Sequence, residues 1–353
     1  MILVRRRVGG PSTDPARAPR ARSHELSTGD RIFQWASGLA ATIPVGALLL
    51  IIVVMVVEAI PAAIYSGTGF FTGTTFSLGH LYANATTTHN GITAPLGAAY
   101  GSLVFIVGTL ATSVIAITLA VPISVGGVLM LSEWIPPRLQ GLLSTFVDLL
   151  AGIPSVVFGL WGITIFGPFA AAHIYPAISE LGRIIPWFKG PVGFGEGLLT
   201  ASLVLALMVI PIVASTTREL VKRVPVLARE GALALGMTRY EMVRVVTIPY
   251  IRSGIIAATL LGWGRALGET IAVLLIIGDL TLLPHSVFAP TATIAATIAA
   301  TLDSALTDYT HKGVSALAEL GLLLLVISLA TNLAGRLIIR RVSTDALPVG
   351  RGI

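Results

Sequence analysis

The chain has 353 residues, 54% of them hydrophobic and 11% charged, with a net charge of +6 and a mean hydropathy of +0.88. This is membrane composition and excludes a large soluble core. The Lys and Arg residues are split among separate hydrophilic segments, which argues against nucleic acid as a partner, and the absence of cysteine excludes disulfides and thiolate metal sites.

Residues 1–30 are rich in Arg, Pro, Ser and Gly without apolar periodicity, and read as a disordered tail. The first apolar run starts near Ala36 at full length with no small-residue cleavage site, so the tail is expected to stay on the protein. Six apolar stretches follow, at about 36–57, 101–124, 142–167, 198–215, 255–278 and 316–335, each close to the roughly 20 residues that cross a bilayer. Pro122, Pro154 and Pro211 interrupt the second, third and fourth of them, and neighbouring helices can satisfy the carbonyls that each proline frees. The fold class expected is therefore all-α, a polytopic membrane protein with six transmembrane helices over 31–341 and a carboxy-terminal tail over 342–353. Segment 58–99 has no Lys or Arg but many Gly, Thr and aromatic residues, and predicts a partly ordered external domain or lid. Amphipathic pieces near Ile174–Ile185 and Ala292–Leu306 predict surface helices where an external partner could land.

Orientation follows from the basic residues. The amino-terminal tail, Arg138, the loop over 216–254 and the carboxy-terminal tail together hold nineteen Lys and Arg, against three (Arg183, Lys189 and Lys312) on the other side. Both termini and the 216–254 loop are expected in the cytoplasm. That loop, bounded by Pro225 and Pro249, has the pattern of a basic helix–turn–helix, more than a simple connection needs, and reads as a docking surface.

The fifth stretch contains Gly262-Trp-Gly-Arg-Ala-Leu-Gly-Glu-Thr-Ile-Ala-Val273. Arg265 and Glu269, four apart, are expected to share a helix face and pair. A charge at the bilayer centre costs about 2.5–3.5 kcal/mol on insertion scales, so two in one span point either to a pair that locks helices or to a pathway. In the second case Arg265 offers a planar guanidinium to a tetrahedral oxyanion. Glu269 then holds the arginine and accepts a hydrogen bond from a protonated oxyanion, which phosphate is at neutral pH and sulfate is not. Gly264 and Gly268 are expected to leave a groove for a neighbouring helix. The chain holds no Gly-x4-Gly-Lys-Ser/Thr loop and so is not itself an ATPase, and its six His residues lack ligand spacing.

Glu230, Ala232, Gly236, Ile248 and Pro249 resemble the EAA loop of importer-type ABC permeases, with Gly231 standing where that pattern has Ala. The resemblance implies the type I, MetI-like permease fold and a coupling helix around Glu230–Arg239 that sits in a groove of an ATPase. Gly-Arg-Ala-Leu-Gly-Glu-Thr-Ile-Ala-Val, with Asp148–Gly162 and Val57-Glu-Ala-Ile-Pro61, resembles the C-type permease of the phosphate-specific (Pst) uptake system over about 30–341. This implies a bacterial plasma-membrane phosphate importer with Arg265, Glu269 and Thr270 on the substrate path. The partners implied are a second, A-type permease, two copies of an ATPase that binds the ATP and Mg, and an extracytoplasmic phosphate-binding protein; this chain itself holds no cofactor or metal. Other readings are a permease for sulfate or molybdate, a secondary transporter with Glu269 as proton site, and a non-transporting sensor.

Overall fold

The structure, a computed structural model, describes residues 28–81 and 85–344. The chain divides into two compact units, Met1–Ile51 and Ile52–Ile353. The described part of the first unit is the beginning of helix α1 (Thr28–Ser66), apolar and exposed at every described side chain up to Ile51. A helix that is hydrophobic all round is built to face lipid or another apolar surface. The tail expected at 1–30 lies outside the described residues apart from Thr28–Asp30, which are already helical.

In the second unit α1 ends where Gly67 turns to φ +53°. A short helix α2 (Gly69–Thr72) and two antiparallel strand pairs follow: β1 (Phe76–Leu78) with β4 (Ala98–Tyr100), and β2 (Thr86–His89) with β3 (Ile92–Pro95). Asn90-Gly91 makes the tight β2–β3 turn with both residues at positive φ, the backbone demanded by two-residue hairpins. The segment expected as a partly ordered domain is thus a small β structure. Its tip bonds back to α1 through Asn90 Nδ2 to the Ile64 carbonyl (2.9 Å) and His89 Nδ1 with the Tyr65 carbonyl (2.6 Å).

The bundle is made of α3 (Leu103–Glu133), α4 (Pro137–Ala151), α5 (Ser155–Trp161), α6 (Gly167–His173), α7 (Tyr175–Ser179), α8 (Leu198–Lys222), α9 (Val226–Ala234), α10 (Arg239–Met242), α11 (Ile248–Leu267), α12 (Ile271–Ile276), α13 (Ile294–Leu306) and α14 (Lys312–Thr344). A π turn, Gly162–Phe166, joins α5 to α6, and another, Val243–Thr247, joins α10 to α11. Among the described residues six helical runs are long and apolar enough to cross a membrane: Thr28–Ser66, Leu103–Glu133, Ser155–His173, Leu198–Lys222, Arg239–Leu267 and Lys312–Arg341.

Two expected spans are redrawn. The third stretch, 142–167, is two helices, because Pro154 lacks an N–H and disfavours α geometry at Ile153. The exposed helix α4 stops at Gly152, and the spanning run begins at Ser155. The fifth stretch, 255–278, is likewise broken after Leu267. Of the two expected surface helices, the first forms as the short helix α7 followed by a 3-10 turn over Glu180–Arg183, and the second as α13, capped by Thr293 Oγ1, which accepts from Ala296 N. The carboxy-terminal tail expected from 342 is still helical to Thr344, and the rest lies outside the described residues.

α3 and α8 pack along one another at the centre. Small residues of α3 (Ala116, Ala120) meet Val204, Val209 and Val213 of α8, with Ala258 of α11 and Val273 and Ile276 of α12 closing the core. Gly262 makes the α8–α11 approach possible: a Cβ there would stand 2.9 Å from methyls of both Val209 and Val213.

Candidate functional site

The loop between α8 and α11 folds as a helix–turn–helix. α9 begins just after Pro225, the residue that caps its start in an extended conformation and has no N–H to leave unpaired. It ends in a Schellman motif in which Gly236 N donates to Leu233 O (3.0 Å) and Met237 N to Ala232 O (3.2 Å). Gly236 takes φ +87° there, and no atom lies within 4 Å of its would-be Cβ, so backbone conformation, not space, fixes glycine at this position. α10 starts with a capping box: Glu241 N donates to Thr238 Oγ1 (3.3 Å) and Thr238 N to Glu241 Oε2 (2.7 Å). Pro249 lies in the first turn of α11.

The residues predicted for ATPase coupling divide between two faces. Glu230, Gly231, Gly236, Arg239 and Pro249 are exposed. Ala232 points inward and packs with Met242, Val243, Val128 and Val221. The outer face carries apolar side chains that periodicity alone did not single out: Leu227 is 83% exposed, Leu235 82% and Tyr240 63%.

Arg265 and Glu269 are brought near each other in sequence but not onto one helix. α11 ends at Leu267 with Gly268 as its cap; Gly268 N donates to Arg265 O and Glu269 N to Ala266 O in a tightened last turn. Glu269 lies in the break, and Thr270 starts α12, its carbonyl accepting from Leu274 N. The expected shared face is therefore lost, and no ion pair joins Arg265 to Glu269 among the described residues. Arg265 is exposed, while Glu269 and Thr270 are half-buried. Arg265 is roughly 25 Å along the axis from Ile248 at 1.5 Å per residue. Two residues earlier, Trp263 Nε1 donates to Ser113 Oγ of α3 (3.1 Å). The groove expected at Gly264 and Gly268 meets no side chain of this protein, and the close helix contact belongs to Gly262.

Several polar contacts near the loop were not anticipated. Glu133, at the end of α3, pairs with Arg229 of α9, and its carbonyl accepts from Arg239 Nη1 at 2.8 Å. Arg218 of α8 pairs with Asp148 of α4 at 2.6 Å, beside a cavity of about 720 Å³ between α3, α4 and α8. These partners are far apart in the chain, so no local pattern announces them. The Thr238-x-x-Glu241 spacing was a readable signal for the second helix of the loop.

The described residues hold six potential spans, with a helix–turn–helix between the fourth and fifth, the architecture of a polytopic membrane protein. Residues 123–344 match the family model described as binding-protein-dependent transport system inner membrane component. The phosphate transport system permease protein PstC 1 of Mycobacterium tuberculosis is 50% identical over 337 residues, covering 94% of this chain and 99% of that protein. The phosphate transport system permease protein PstC of Haemophilus influenzae is 43% identical over 253 residues, 70% of this chain and 78% of that one. Among solved structures, the MetNI methionine ABC transporter in an inward-facing conformation aligns at 18% identity and a TM-score of 0.46, over 69% of this chain and 94% of that one. The chain belongs to the family of binding-protein-dependent transport system inner membrane components, in its PstC branch.

Proposed function

We propose that this chain is a permease subunit of an ATP-driven phosphate importer, forming part of the translocation pathway and taking its motion from a cytoplasmic ATPase. The observation that carries this reading is the exposed leucine-bearing surface of the α9–turn–α10 unit, which fits a groove of a soluble partner. The 50% identity to a phosphate permease supports the choice of cargo.

In this reading the Lys/Arg-rich end, with both termini, faces the cytoplasm, and Arg265 faces a pathway shared with a second, A-type permease. The guanidinium is always charged and offers forked donors to a tetrahedral oxyanion. Glu269 and Thr270, held in the break after α11, supply an acceptor and a hydroxyl. The carboxylate accepts a hydrogen bond from the protonated oxygen of hydrogen phosphate and repels fully ionised sulfate. Two copies of the ATPase bind the ATP and Mg, and an extracytoplasmic binding protein delivers phosphate.

The test is labelled-phosphate uptake into vesicles holding this chain, its partner permease, the ATPase and the binding protein, with the proton gradient collapsed and sulfate and molybdate as competitors. ATP-dependent uptake that ignores both competitors is expected; uptake that follows a proton gradient overturns it. Glu269→Gln is expected to admit sulfate as a competitor, and unchanged discrimination would remove the role given to this carboxylate.

A further inference from the structure

Glu133 is the last residue of α3, and both arms of the helix–turn–helix are fastened to it. Its carboxylate accepts from Arg229 Nη2 of α9, and its backbone carbonyl accepts from Arg239 Nη1 of α10 (2.8 Å). The two arginines stand on opposite sides of the Gly236 turn, 96 and 106 residues from Glu133 in sequence. The Glu133 side chain is only 6% exposed and Arg229 26%, so the pair is shielded from the solvent that weakens surface ion pairs.

The surroundings make this contact more than a decoration. The apolar packing between the loop and the bundle lies further in, around Ala232, Met242, Val128 and Leu129. At the outer turn an open cleft of about 540 Å³ separates α9 from the Glu133–Pro137 turn, and Glu133, Arg229 and Arg239 line it. Across that cleft the connection is polar. At its other side the loop continues into α11 through the π turn, a wider and less regular stretch of helix. α3 itself packs along α8 and accepts the Trp263 hydrogen bond two residues from Arg265.

We propose that Glu133 is a positioning residue for transport, the point at which displacement of the α9–α10 unit is handed to α3 and from there toward Arg265. The proposal rests on the reading of that unit as the ATPase contact. A rigid unit gripped at both arms cannot move without moving the residue that grips it, whereas a unit held only by its apolar base could rock.

The test uses the complete reconstituted complex and reads three quantities: phosphate moved per ATP hydrolysed, ATP hydrolysis itself, and the ATPase retained on purification. Glu133→Gln is expected to lower phosphate per ATP at least threefold, and Glu133→Arg or Arg229→Glu at least tenfold, with the ATPase still bound. Combining Glu133→Arg with Arg229→Glu is expected to restore the ratio to within threefold of wild type, since the pair is re-formed and the Arg239 contact uses only the backbone. An unchanged ratio in Glu133→Gln, or a double variant no better than its parents, overturns the proposal. If the single reversals do not reach the membrane, Glu133→Gln decides alone. Loss of the ATPase from these variants also overturns it, because Glu133 would then serve docking and not transmission. If the wild-type complex itself shows no ATP-driven uptake, the reading of the loop fails first, and the proposal with it.

Discussion

At residue 236 a single backbone angle governs how α9 turns into α10, the unit proposed to meet the ATPase. The left-handed conformation costs an ordinary L-residue about 1–2 kcal/mol, and a β-branched one has the least room to adopt it. Gly236→Val is therefore expected to twist α9 against α10 and abolish phosphate uptake at normal membrane abundance, measured by immunoblot beside the transport assay. Gly231, five residues earlier, is the opposite case. It is a mid-helix glycine with nothing within 4 Å of where a Cβ would stand, so Gly231→Ala restores the alanine of the EAA pattern and is expected to stabilise α9 by about 0.5–1 kcal/mol with uptake unchanged. Both glycines were visible in the sequence, but only the dihedral separates the indispensable one from the replaceable one. Glu133 and Asp148 were less legible. A carboxylate near a predicted helix end is ordinary, and its arginine partner is chosen by the fold.

At the scale of elements, hydrophobic runs gave the number of spans but not their ends. The third run hides a helix start at Pro154 because α4 is apolar enough to blur into the span that follows it. The fifth hides a helix end at Gly268, since a glycine in an apolar run that also holds Gly262 and Gly264 is compatible with an unbroken helix; past the tightened turn over Arg265–Glu269, α12 packs against α5. A Cβ at Gly159 would stand 3.0 Å from Ala272 Cα, and this close approach fixes α12 in place. Asn90-Gly91 was a strong local hairpin signal within a segment otherwise characterised only by its composition. The α8–α11 contact offers a direct test. Gly262→Leu overfills the space beside Val209 and Val213 and is expected to cost about 1–3 kcal/mol, read as a lower thermal midpoint in detergent. Gly264→Ala, also mid-helix with open space around it, is expected to raise stability by about 0.5–1 kcal/mol.

For the whole molecule, the surface proposed for the ATPase is the exposed face of α9 and α10. Replacing Leu227 and Leu235 by Glu is expected to weaken ATPase binding at least thirtyfold, about 2 kcal/mol, measured by co-purification, while this chain remains in the membrane. The break between α11 and α12 bears on the transport cycle as well. On an unbroken helix Arg265 and Glu269 would keep their Cβ atoms about 5–6 Å apart in every state, and the charge seen by an arriving anion would be constant. With Gly268 between them, their separation is governed by a few loop torsions. On the proposed reading of Arg265 and Glu269 as part of the substrate path, the site can therefore be a neutral dipole in one state and a bare cation in another, gripping its cargo and then letting it go without any turn of helix having to unwind.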